Sequence, residues 1–153
     1  MIITKKLFDD LSYEAVKSSI LRVNYDLRNS DCVQSRRMLN ALEPGTQLPI
    51  HRHLKTSKIC LILRGAAEEI FYDDSGKEKE RFLLKSNSDC VGIQIPAGVW
   101  HRIEVLESGT VIFEAKDGTY EPISTENIIY ENIGNRSGRF HRFSYREALV
   151  GKR

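Results

Sequence analysis

Apolar and polar positions follow three different patterns along this chain. Near the start, Ile2 and Ile3 predict a short edge strand. A brief helix is predicted from Leu11 to Ile20, with Ser12 as its N-cap and Glu14 favourably placed in the first turn. From about residue 36 the pattern shortens to strands separated by turn residues. Strands are predicted over Arg37–Glu43, Lys58–Leu63, Glu69–Tyr72, Glu80–Leu84, Val91–Ile95, Ile103–Leu106 and Thr110–Ala115. Pro44-Gly45, Gly65 and Pro96-Ala-Gly98 end three of them. Asp73-Asp-Ser-Gly76 reads as a hairpin loop in which Gly supplies a positive φ, and Glu107-Ser-Gly109 as a second hairpin. Lys116-Asp-Gly118 reads as the turn after the last strand. At least seven short strands and one helix predict an antiparallel barrel or sandwich. The Cys…Trp…Cys framework of an immunoglobulin-type sandwich is missing.

The third pattern begins at Gly134, where Arg136, Arg139, His141, Arg142, Arg146, Lys152 and Arg153 interleave with Phe140, Phe143 and Tyr145. We therefore divide the chain into a domain over 1–133 and a basic extension over 134–153. A solvated or partner-docked extension is expected, and nucleic acid is not.

Composition narrows the class without changing it. The 153 residues, 41% hydrophobic and 29% charged, are those of one globular domain with its own core. A net charge of +2 does not point to nucleic acid or membrane. The N-terminal stretch lacks a long apolar run, so neither a signal peptide nor a membrane span is expected. Cys32, Cys60 and Cys90 are odd in number and without CxxC spacing, which predicts reduced thiols in a cytoplasmic protein. Cys60 and Cys90, in apolar runs, are expected to be buried.

The chemistry concentrates in two strings, Gly45-Thr-Gln-Leu-Pro-Ile-His51-Arg-His53 and Pro96-Ala-Gly-Val-Trp-His101. Residues two apart on a strand share a face, so His51 and His53 can converge on a cation, and His101 from a later strand would complete a facial triad. Trp100 and Tyr120 are candidates for a sugar-facing rim. Arg52 is expected at the surface, and one of Arg36 and Arg37 must face away from any ligand.

Gly45-x5-His51-x-His53-x4-Lys58-x6-Gly65 and Pro96-x-Gly98-x2-His101 have the spacing of the two cupin motifs. With the flanking strings Arg37–Gly45, Ile95–His101 and Phe113–Tyr120, the chain resembles the WbuC-type cupin-fold metalloproteins of bacterial polysaccharide gene clusters over roughly residues 10–125. The resemblance implies an all-β cupin barrel (a double-stranded β-helix, or jelly roll) that pairs as a homodimer. It also implies a metal held by two motif-1 histidines, a motif-1 glutamate and a motif-2 histidine. Those positions are His51, His53, Lys58 and His101, so the glutamate is replaced by lysine. Cys90 and Val105 stand at two further motif positions.

Three arrangements remain open from the sequence. The three histidines hold Zn²⁺, Fe²⁺ or Ni²⁺ alone while Lys58 turns away; or the metal is absent and Lys58 with protonated histidine binds a sugar carboxylate or phosphate; or Glu68, Glu69 or Gln94 replaces the missing ligand. No nucleophile, acid–base pair or phosphate loop identifies a reaction. If the protein is an enzyme, metal-assisted isomerisation or hydrolysis of a sugar derivative is expected.

Overall fold

A computed structural model describes residues 1–130. The extension expected over 134–153 lies outside them. Among the described residues ten strands form two five-stranded sheets, and every pairing is antiparallel. They are β1 (Arg22–Asp26), β2 (Ser35–Leu42), β3 (Ile50–His51), β4 (Lys58–Arg64), β5 (Ala66–Tyr72), β6 (Glu78–Lys85), β7 (Gly92–Ile95), β8 (Trp100–Val105), β9 (Thr110–Asp117) and β10 (Ile128–Ile129). One sheet runs β1-β2-β9-β4-β7 and the other β10-β3-β8-β5-β6.

The helix, α1 (Lys5–Lys17), starts well before the predicted Leu11 because Thr4 caps it, its hydroxyl accepting from the Leu7 amide at 3.2 Å. Ser12 is therefore inside the helix, and Ile2 and Ile3 form no strand. Leu11 and Ala15 of α1 pack on Leu39, Ala41 and Val111, covering the outer face of the first sheet. Between the sheets Leu42, Cys60, Ile62, Ala67, Leu84, Ile103 and Ile112 form the core. Cys60 is buried as expected, whereas Cys90 is exposed.

The Asp73–Gly76 loop is a true hairpin between β5 and β6. Glu107–Gly109 is not, because β8 and β9 lie in different sheets. The turn crosses between them, fastened by the Glu43 carboxylate, which accepts from the Ser108 hydroxyl and the Gly109 amide. The β4–β5 crossover depends on Gly65, whose φ is +81° and where a Cβ would stand 2.9 Å from the Thr110 Cα. Gly65→Ala is expected to destabilise the fold by on the order of 2 kcal/mol, since both the left-handed backbone and the contact oppose a side chain. Urea denaturation would measure it; a loss below about 0.5 kcal/mol would contradict this reading of the crossover.

Candidate metal centre and its cavity

Strand parity and register bring the histidines together. His51 of β3 is paired directly with His101 of β8, so the two rings leave the same inner face. His53 lies just beyond β3, and its carbonyl accepts from the Gly98 amide at 2.8 Å, tying the first histidine loop to the turn before β8. The ring centroids are 4.3 Å (His51–His101), 5.2 Å (His51–His53) and 6.0 Å (His53–His101) apart. One potential donor atom from each ring lies within 4.8 Å of the others.

Two of the rings are oriented by their own strands. His51 Nδ1 is 3.0 Å from the Pro49 carbonyl, and His101 Nδ1 is 2.9 Å from that of Val99. A carbonyl only accepts, so each Nδ1 carries the proton and each Nε2 keeps a free lone pair. His101 Nε2 is buried with no hydrogen-bond partner among the described residues. Burial, followed by the charge of Lys58, lowers the His51 pKa to about 4. Burial and then His51 and Lys58 lower that of His53 to about 3, and burial holds His101 well below its ordinary value. All three are neutral at pH 7, the form that coordinates a metal. An orphaned, buried nitrogen beside two neutral imidazoles fits a divalent transition metal.

Lys58 lines the same cavity as the histidines, and its head is tied to β9. Its ammonium donates to Glu114 Oε1 at 2.8 Å, with the side chains 14% and 19% exposed. Asn40 donates to the other carboxylate oxygen. Burial opposes charge on both partners, but their mutual attraction outweighs it: Lys58 is held above and Glu114 below its ordinary value. The pair is ionised and mutually neutralising.

The histidines and Lys58 line a cavity of about 140 Å³ between the sheets. The segment after β9 closes one side, with Tyr120, Glu121, Ile123 and Ile128 in its wall. Tyr120 thus lines the cavity, with the Arg36 guanidinium 4.6 Å from its ring centre. Trp100 does not. It neighbours His101 on the strand and so faces the opposite side, packed with Ile50, Ile70 and Tyr72 and donating to Asp74 at 3.0 Å. Arg52 lies over that outer indole, away from the cavity. Gln94 is exposed, its amide 3.5 Å from Ser57, and Glu68 pairs with Arg81 outside the cavity. Glu69 is buried, but it does not join the cluster of donor atoms. Lys116, which the sequence pattern assigns to a turn and not to a site, also lines the cavity, because β9 runs on through it.

A family model described as a domain of unknown function (DUF6016) matches residues 3–84, more than half of the chain. No curated protein matches. Solved structures similar to the chain include the capsular polysaccharide assembling protein CapF from Staphylococcus aureus, with 17% identity and a TM-score of 0.57 over 70% of this chain and 31% of that one. CapF with the inhibitor 3-isopropenyl-tropolone is similar at 18% identity and a TM-score of 0.55, covering 65% of this chain and 28% of the other. KdgF from Halomonas sp. shares 15% identity with a TM-score of 0.51, over 65% of this chain and 82% of that one. The chain thus spans less than a third of the CapF chains. These are cupin-fold proteins, and the likeness shows that this chain has the cupin fold. No helix among the described residues is long and apolar enough to cross a membrane.

Proposed function

The chain belongs to the DUF6016 family, a domain of unknown function, so its activity must be read from the site, and we propose that it is a metal-binding cupin with a small-molecule pocket. His51, His53 and His101 are the ligands in this reading, and Lys58 is a structural partner of Glu114. The observation that carries it is the buried Nε2 of His101, without a partner among the described residues and beside two other neutral imidazoles. Three nitrogen ligands suit Zn²⁺, Fe²⁺ or Ni²⁺ and leave positions open. When bound, such an ion supplies Lewis acidity to a ligand oxygen. The chain's own contribution is orientation: Pro49 and Val99 hold two rings, and the core behind Ile103 and Ile112 excludes water from one side of the cavity.

A role in surface polysaccharide or nucleotide-sugar metabolism is supported by the resemblance to WbuC-type proteins and by the fold shared with CapF. The competing arrangement, protonated histidine and free Lys58 gathering an anion, is not favoured, because the imidazoles are neutral and Lys58 is engaged.

The test is elemental analysis of protein purified without chelator or nickel resin. About one transition-metal ion per chain is expected, falling below a tenth in His53→Ala and His101→Ala. A chain that arrives without metal, and takes up none of Zn²⁺, Fe²⁺ or Ni²⁺ on titration, would overturn the reading.

A further inference from the structure

Three neighbouring strands place three cations on one rung of the first sheet. Arg36 of β2 is paired directly with Lys116 of β9, and Lys116 is paired directly with Lys58 of β4. All three line the cavity. Like charges directly opposite one another on a sheet are destabilising, and burial adds to the penalty. Lys58 alone of the three is hydrogen-bonded to a carboxylate, that of Glu114, whose two oxygens are taken by Lys58 and Asn40 and whose charge reaches Arg36 only at longer range. Among the described residues Arg36 and Lys116 have no hydrogen-bonded carboxylate; Glu121 acts on Lys116 through charge, without an ion pair. Both have pKa values below ordinary, from burial first and then, for Lys116, from Arg36 itself. The Arg36 guanidinium carbon lies 4.6 Å from the centre of the Tyr120 ring, a cation–π contact that uses none of its N–H donors.

We propose that Arg36 and Lys116 form an anion seat in the cavity, so that the protein's ligand is a small organic molecule carrying a carboxylate or phosphate that docks on this rung beside the three histidines. This names the ligand class of the proposed metal pocket and rests on that reading for the role of the histidines, not for the seat. The cavity wall carries four cations, Arg22, Arg36, Lys58 and Lys116, against two carboxylates, Glu114 and Glu121. Arg22 is already committed to the Thr46 hydroxyl and the Gln47 carbonyl, so the seat is at the Arg36–Lys116 end. An oxyanion there supplies the direct hydrogen-bonded partner that neither cation has among the described residues, where Glu114 and Glu121 act on them only through charge.

Isothermal titration with inorganic phosphate and with D-glucuronate, and glucose as the neutral control, tests the seat in the native chain, Arg36→Gln, Lys116→Gln and His53→Ala. At least one anion is expected to bind, glucose is not, and each rung substitution should weaken the anion at least tenfold. The preferred anion tells phosphate from carboxylate recognition. His53→Ala separates the two readings. Binding that survives there but is lost in the rung variants supports the seat whatever the metal content proves to be. Binding lost in His53→Ala but intact in both rung variants overturns the seat and leaves the metal centre standing. No binding of either anion, or equal binding in all variants, also overturns it. Unliganded Arg36→Gln and Lys116→Gln are expected to melt no lower than the native chain, since each removes a repulsion. If either melts several degrees lower and the anion still binds normally, the rung is structural and the proposal fails.

Discussion

Glu114→Gln is expected to lower the stability of the fold by about 3 kcal/mol, at the lower end of the cost of breaking a buried ion pair by removing one partner. The substitution keeps the shape and lets the amide oxygen still accept from Asn40, but it leaves the Lys58 ammonium largely buried with no hydrogen-bonded anion, Glu69 acting on it only through charge. Lys58→Met should cost a similar amount by the converse route, leaving the Glu114 carboxylate without its ion-pair partner and with only the Asn40 hydrogen bond and the more distant charge of Arg36. The double substitution Lys58→Met/Glu114→Gln removes both charges and is expected to recover most of either loss, because a buried pair contributes little net stability over neutral groups of similar size. Urea denaturation of the four proteins closes the cycle. Metal uptake should follow the same order, at least tenfold weaker in Glu114→Gln and restored in the double variant. Additive losses, with no recovery, would mean that Lys58 and Glu114 act independently and that the 2.8 Å contact is incidental.

Glu69→Gln is expected to make the protein more stable at pH 8 and nearly unchanged at pH 5. Glu69 is 1% exposed, and one of its carboxylate oxygens lacks a partner among the described residues. Burial raises its pKa from 4.5 to about 7, against a partial pull from Lys58. In the unfolded chain the group releases its proton near 4.5, but in the fold it does so only near 7. Its contribution is therefore fully present below about pH 4.5, declines as the pH rises, and is lost above about 7. The gap, at about 1.4 kcal/mol per pH unit, is on the order of 3 kcal/mol. Subtracting the native stability from that of Glu69→Gln at pH 5, 6, 7 and 8 isolates this group from the rest of the titration. A difference that does not grow between pH 5 and 7 would show that Glu69 is satisfied in the fold.

Both groups sit on inner faces that strand parity makes legible. The two-residue spacing of His51 and His53 and the placing of His101 in a later strand lead directly to the cluster. The same parity assigns Trp100 to the outer face, since it precedes His101, and assigns Gln94 to the face opposite Ile95. Chemical attractiveness favours a sugar-facing aromatic there, and strand geometry overrides it. Lys116 is the opposite case. The Lys-Asp-Gly string looks like a turn, but Ile112, Glu114 and Lys116 share one face as long as the strand continues, and pairing with Ser35 and Arg36 carries it to Asp117.

Other features depend on contacts that no local pattern announces. The short strands β3 and β10 have only two residues each, and they exist because Ile128 and Ile129 pair back on His51 and Ile50. The direction in which Lys58 turns depends on Glu114, distant in sequence and adjacent only through the β4–β9 pairing. The helix start, by contrast, is legible locally, since Thr4 is an ordinary N-cap; the apolar positions Leu7 and Phe8 continue the stripe of Leu11 and Ala15 toward it.

His51 and His101 hang from one sheet and the Arg36–Lys116 rung from the other, facing each other across the cavity that parts the two sheets at this end. A species that touches both sides is a reversible cross-link whose strength is set by its concentration. At a hundredfold excess over its Kd it would add about 2.7 kcal/mol to the stability of the whole domain. Melting temperature then reports occupancy, and a panel of anions and metals can be ranked by heating the protein, before any reaction is known.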